Sequence, residues 1–169
     1  MTENSTLNIP SVTETQLIRE VSKQSFYRFI QEFWHSVVVD KPVWNWHIEY
    51  LCDEVQQILE RIFRGLPKLY DLLINIPPGT TKSTIFSIFL PAYMWIRMPS
   101  SRVIACSYSG GLAEDFSRKN LQVLQSALFR NCFPEIKLGL ERSTHFTNTK
   151  GGERYCAGIG GVITGKHAH

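Results

Sequence analysis

The strongest constraint on the fold of this 169-residue chain lies between positions 69 and 97. Leu69-Tyr70-Asp71-Leu72-Leu73-Ile74-Asn75-Ile76 is a short, mostly apolar run, with the length and composition of a strand buried in a parallel sheet. Pro77-Pro78-Gly79 ends it. Beyond that break, Ile85, Ile88, Phe89, Ala92, Trp95 and Ile96 recur at the spacing of one helix face, which predicts a helix over 82–97. Pro91 falls inside this helix and withholds a backbone donor, so a kink is expected there. Arg102-Val103-Ile104-Ala105-Cys106-Ser107 reads as a second buried strand, and Leu112, Ala113, Phe116, Val123, Leu124, Ala127 and Leu128 mark the helix after it. The order strand, helix, strand, helix predicts an α/β domain with a parallel sheet flanked by helices.

The flanking sequence fits one domain over residues 11–169, preceded by a loose tail at residues 1–10. Ser11 and Glu14 have capping-box spacing, and Phe26, Phe29, Ile30, Phe33, Trp34 and Val37 give the first helix its apolar face. Ile48, Leu51, Cys52, Val55, Ile58, Leu59, Ile62 and Phe63 build a second helix, stopped by Gly65 and Pro67. After Pro134 two short polar runs, Ser143 to Asn148 and Glu153 to Ala157, flank Lys150-Gly151-Gly152 as a hairpin would. Four glycines within Gly158 to Gly165 predict a backbone that approaches something closely. Cys52, Cys106, Cys132 and Cys156 are too scattered for a disulfide framework or a zinc site, and read as buried thiols in a reducing compartment. No apolar stretch has membrane-spanning length and there is no signal-like N-terminus, so a cytoplasmic location is expected. A formal charge of +3 neither requires nor excludes a nucleic-acid partner.

The chemistry concentrates at the strand-to-helix junction. A nucleotide's phosphates need backbone N–H groups, the positive end of a helix, a nearby cation, and a hydroxyl to hold Mg²⁺. Pro77-Pro78-Gly79-Thr80-Thr81-Lys82-Ser83 supplies each of them in order. Lys82 would reach the outer phosphates of ATP, Ser83 would ligate Mg²⁺, and the amides from Gly79 to Ser83 would cradle the phosphates. The usual pattern places a glycine directly before the lysine, where this chain has Thr81. A Pro/Gly/Thr turn capping an ordinary helix is the competing reading, and the strand before the loop and the helix after it favour the phosphate site.

Asn75-Ile76-Pro77-Pro78-Gly79-Thr80-Thr81-Lys82-Ser83-Thr84, then Pro91-Ala92-Tyr93-Met94-Trp95, Ser107-Tyr108-Ser109, Phe116-Ser117-Arg118 and Gly160-Gly161-Val162-Ile163-Thr164-Gly165, follow one another at set distances. In that order and spacing the chain, from about Phe26 onward, resembles the ATPase domain of the terminase large subunits of tailed bacteriophages. The resemblance implies a P-loop NTPase fold and ATP-driven movement of double-stranded DNA into a procapsid. It also implies work in a homo-oligomeric ring with the terminase small subunit and the portal protein, in the cytoplasm of an infected bacterium and with no membrane partner. A nuclease domain usually follows such a motor.

The resemblance assigns further roles. Trp44, Asn45 and His47 are similar to the upstream element that contacts adenine in many P-loop motors; core packing for the tryptophan and a capping or solvated role for His47 stand as alternatives. Many relatives carry an arginine in the loop where this chain has Gly79, so no phosphate-sensing arginine carries over. Lys166 stands where relatives often place a basic residue acting catalytically on a neighbouring subunit's nucleotide; a solvated loop lysine is the alternative. Ser107, Tyr108 and Ser109 could face phosphate or DNA, or simply turn the chain into the next helix, and Arg118 and Lys119 could touch DNA or form a wet helix face. Hydrolysis needs an apolar strand ending in acidic residues. No aspartate follows Asp115, and the resemblance implies that the chain stops before this Walker B strand. Two other functions compete: another P-loop enzyme such as a helicase or nucleotide kinase, and a non-catalytic module that only holds nucleotide.

Overall fold

A computed structural model describes residues 12–161 and 163–169. Its elements run α1 (Glu14–Gln24), α2 (Phe26–Phe33), a 3₁₀ turn (Trp34–Ser36), α3 (Trp46–Phe63), a π-helical segment (Thr84–Phe89), α4 (Leu90–Arg97), β1 (Arg102–Ser107), α5 (Gly110–Gln125), α6 (Ala127–Cys132), β2 (Leu138–Arg142), β3 (His145–Asn148) and β4 (Glu153–Gly158). The class is mixed α/β, with a four-stranded sheet in the order β1-β4-β3-β2 flanked by helices. The sheet is not the parallel one expected. β1 and β4 are parallel, whereas β4–β3 and β3–β2 are antiparallel, because the short Asn148–Gly152 connection closes a hairpin that a parallel pair cannot use. Asn148 fixes that hairpin: its Oδ1 accepts from the amides of Lys150 (2.8 Å) and Gly152 (3.0 Å), and its Nδ2 donates to the Pro99 carbonyl (2.8 Å).

Three local expectations need correction. Ser11 lies outside the described residues; the capping box is formed by Thr13 and Gln16, each accepting from the other's backbone amide. The first helical run is two helices, because Ser25 leaves helical backbone geometry and accepts from the Arg28 amide as the cap of α2. The largest change concerns residues 69–77. Alternate residues Leu72, Ile74 and Ile76 pack against the core and Leu73 is 93% exposed, so the segment has the two-residue period of a strand. It nevertheless pairs with no strand among the described residues. An extended segment becomes a sheet strand only when a neighbour supplies the ladder, and β1, the nearest candidate in sequence, pairs through β4 instead.

Aromatic side chains from four helices form the core. The ring of Phe29 lies 4.8 Å from Phe33, 5.8 Å from Tyr93, 6.3 Å from Phe89 and 6.5 Å from Phe129, centroid to centroid, in tilted or edge-on arrangements. Arg97 ties the end of α4 to two other helices: it donates to the Lys23 carbonyl (2.8 Å) and to Glu60 (3.1 Å), and lies over the Phe63 ring. Three cysteines are buried as expected, but Cys106 is exposed. Among the described residues no helix is long and apolar enough to cross a membrane.

Arg19 anchors α1 to the segment after α6, donating to both carboxylate oxygens of Glu135 (2.9 and 2.6 Å) and to the Cys132 carbonyl (2.6 Å). The Arg19 hydrogen bonds hold the Glu135 carboxyl below its ordinary range against the opposing effect of burial. A carboxyl depressed in the folded state stabilises the fold above its unfolded pKa, and that stabilisation is lost as pH falls through the folded value. Glu135→Gln should therefore cost about 1 kcal/mol at neutral pH, the upper end for a partly exposed pair. Denaturant titrations should show this difference shrinking below about pH 4.

Candidate nucleotide site

The extended segment 69–77 delivers the chain into a loop whose backbone conformation is unusual. Gly79 has φ of 81° and Thr81 has φ of 61°, and Thr81 is the one non-glycine residue with positive φ among the described residues. A β-branched residue in the left-handed region is strained, by about 1–3 kcal/mol. This is one of the two positions where a phosphate loop ordinarily carries glycine, so the chain keeps a glycine's conformation without its ease. Local hydrogen bonds support the loop: Thr80 Oγ1 donates to the Pro77 carbonyl (2.7 Å) and Thr81 Oγ1 to the Thr80 carbonyl (2.6 Å). Helical structure then starts at Lys82, with the Ile85 amide bonded to the Thr81 carbonyl (3.0 Å).

Pro77 to Thr84 line a cavity of about 310 Å³. Lys82 and Ser83 belong to it, and neither side chain has a hydrogen bond or ion pair within the described residues. Ser83 already has helical backbone geometry, and its side chain makes no capping bond to the π segment that follows. A second cavity, about 400 Å³, shares Gly79, Thr80, Thr81 and Thr84 with the first and is otherwise lined by Trp34, Val38, residues 40–43, Asn45, His47 and Ile48. Both volumes fall in the range of small-molecule sites. Asn45 occupies the N-cap position of α3 but makes no side-chain cap bond, and buried His47 Nε2 has no partner. Two polar groups therefore stand unused beside the loop. A hydroxyl and an ammonium beside the Gly79–Ser83 turn on one side, and an amide and an imidazole with Asp40, Lys41 and an apolar wall on the other, have the polar and apolar groups that a phosphate chain joined to a planar polar base would use.

The other expected residues lie elsewhere. Trp44 does not line the second cavity; it packs edge-on against Tyr27 and Trp34, and Trp34 supplies the aromatic wall that the sequence reading gave to Trp44. Lys166 reaches Glu153 (3.5 Å) and sits over the Tyr155 ring, 4.9 Å from its centroid. Side chains alternate along a strand. Arg154, between those two residues, points to the helices that follow the 77–84 loop, so Lys166 lies on the opposite face of the sheet. Burial alone would raise the Glu153 carboxyl; His145, 2.7 Å away, and the Lys166 charge hold it below its ordinary range instead.

Ser109 caps α5 by accepting from the Leu112 amide, Tyr108 is exposed, and Arg118 pairs with Asp115 (2.7 Å) on its own helix. The glycine-rich segment approaches the chain itself: a Cβ on Gly158 would come within 2.5 Å of the Gly110 amide, so this glycine lets β4 end against the start of α5. Val162 of that segment lies outside the described residues. The residue that sequence reasoning passed over is Arg154, which is buried in the sheet.

Mg²⁺ fits this site only in part. Among the described residues no group of three or more His, Cys, Asp or Glu side chains could hold a metal ion. The loop offers neutral oxygens such as the Ser83 hydroxyl, which suit a cation that arrives with the nucleotide and is otherwise coordinated by phosphate and water.

The strain at Thr81 has a direct test. Thr81→Gly should raise the denaturant midpoint by an amount equivalent to roughly 0.5–1 kcal/mol, since relief of left-handed strain exceeds the added flexibility of the unfolded chain. A lower midpoint would show that Thr81 does not hold this conformation. Comparison of the chain with protein-family models, with curated proteins and with solved structures finds no match.

Proposed function

We propose that this chain is the ATP-binding part of a DNA-packaging motor subunit of the terminase large-subunit kind, a P-loop ATPase coupling hydrolysis to movement of double-stranded DNA. The observation that carries the nucleotide half is the pair of adjoining cavities that share Gly79, Thr80, Thr81 and Thr84. In this reading Lys82 and the loop amides bind the phosphates and Ser83 takes Mg²⁺. Asn45 and His47 meet the edge of the adenine, which rests on Trp34 and Ile48. The DNA half rests on the ordered sequence resemblance, as do the procapsid portal, the small subunit, the ring and the host cytoplasm.

A second reading has its own observation. The loop cavity is lined by no carboxylate and the adjoining one by Asp40 alone, and none of the described acidic residues follows an apolar strand near them. Without such groups to orient water, the site would hold ATP and turn it over poorly. Binding and turnover measured side by side separate a nucleotide-holding module from a motor ATPase.

Lys82→Ala should abolish detectable Mg²⁺·ATP binding by isothermal titration, and Ser83→Ala should weaken chiefly the Mg²⁺-dependent part. Unchanged affinity in the Lys82→Ala protein would remove the phosphate-loop assignment. A motor that grips the phosphate backbone should bind duplexes of unrelated sequence equally, with an affinity that falls steeply as salt rises. Sequence-specific, salt-insensitive binding in a filter assay would instead indicate a regulator.

A further inference from the structure

Arg154 is 1% exposed, in the middle of the sheet, and forms no ion pair among the described residues. An arginine cannot shed its charge, so one buried without a carboxylate must be held by neutral acceptors. Here one amino group donates to Ser117 Oγ of α5 (2.5 Å) and the other to the Ser87 carbonyl (3.1 Å), while the guanidinium lies over the Phe146 ring. Ser87 is not an arbitrary partner. Its carbonyl stands four residues before Pro91, and a helix would satisfy it with the amide hydrogen that proline lacks. Proline's ring also crowds that carbonyl, and the chain responds with a π-helical turn: the Leu90 amide bonds Ile85, five residues back. Asn120 of α5 donates to the next carbonyl, Ile88 (2.5 Å).

The π segment starts immediately after Lys82 and Ser83. One additional residue in a turn rotates everything before it by about 100° relative to the buried face after it. The register of this segment therefore decides where Lys82 and Ser83 point. We infer that Arg154 is a positioning residue for the phosphate loop: by holding the carbonyl that Pro91 deprives of its helical donor, it fixes the π register that aims Lys82 and Ser83 into the loop cavity. The link to nucleotide rests on the proposed ATP site; the link to the loop's position does not.

The test compares the native chain with Arg154→Met, Arg154→Lys, Pro91→Ala and the Arg154→Met/Pro91→Ala double variant. Three quantities are read: melting temperature, amide hydrogen exchange over residues 79–87, and Mg²⁺·ATP affinity. Arg154→Met should melt lower, exchange faster across 79–87, and bind Mg²⁺·ATP about 10-fold or more weakly. Arg154→Lys, which still offers a donor, should recover part of each. The double variant gives Ser87 an amide donor in the α register, so its melting temperature should recover while its Mg²⁺·ATP affinity stays low. A residue that merely filled space would show no such split.

A folded Arg154→Met protein with native exchange over 79–87 would overturn the inference, as would a loss of melting temperature that Pro91→Ala leaves untouched. If Arg154→Met does not fold, Arg154→Lys and Pro91→Ala carry the test: native exchange over 79–87 in both would overturn it equally. Faster exchange in the Arg154 variants, together with full Mg²⁺·ATP affinity in Lys82→Ala, would sustain the positioning role and remove only the nucleotide reading.

Discussion

A single missing hydrogen atom organises much of this molecule. Pro91 cannot donate to the Ser87 carbonyl, and a buried carbonyl left without a donor costs about 1–3 kcal/mol. The chain answers from another element: Arg154 reaches over from β4 to the Ser87 carbonyl, and Asn120 of α5 holds the neighbouring Ile88 carbonyl. Because Arg154 also bonds Ser117, the helix after the loop, the following helix and the parallel pair β1–β4 meet at one buried polar node. Buried polar networks of this kind are unforgiving, since loss of one member strands the others. Around the node, the aromatic cluster of Phe29, Phe33, Phe89, Tyr93 and Phe129 supplies apolar burial but little of the register. Hydrophobic contact does not fix a helix's rotation as closely as a directed hydrogen bond does.

The elements legible in the sequence were those whose signal is local. The α3 face, β1, the Asn148–Gly152 hairpin and the disturbance at Pro91 all follow from residues within a few positions of one another. β2 was missed because Leu138–Arg142 is almost wholly exposed and lacks the alternation that marks a half-buried strand. The break between α1 and α2 was missed because Ser25 makes it, with no glycine or proline to announce it. Arg154 was out of reach for a deeper reason. In a polar run such as Glu153-Arg154-Tyr155 an arginine reads as solvated, and its burial follows from a proline 63 positions earlier that only the sheet brings near. A proline in a buried helix does pose the question of which donor replaces its own, but the answer lies in tertiary structure.

The proposed phosphate loop shows the same division. Its position between an apolar run and a helix, and its Lys82-Ser83 pair, were visible in the sequence, and so were Asn45 and His47 beside it. The sequence could not say which of three nearby tryptophans faces the second cavity, because Trp34, Trp44 and Trp46 all fit an aromatic wall. Packing decides it: Trp44 turns inward against Tyr27, Trp46 is exposed, and Trp34 remains, its indole N–H anchored on the Asp40 carbonyl (3.0 Å).

The extended segment 69–77 gives the site a thermodynamic character of its own. One arm of the loop, the helix with its π turn, is bonded into the core at several points, while the other is held by three alternate side chains and by no strand ladder among the described residues. Segments with few buried contacts and unpaired backbone open at the low end of a protein's stability range. A ligand that needs both arms in place binds with an affinity reduced by the fraction of time the looser arm is docked. Whatever pairs with Leu72 to Ile76 would raise that fraction and tighten the site without touching the ligand. Occupancy of the loop and order in the strip before it are thus linked, and each should strengthen the other by the same factor.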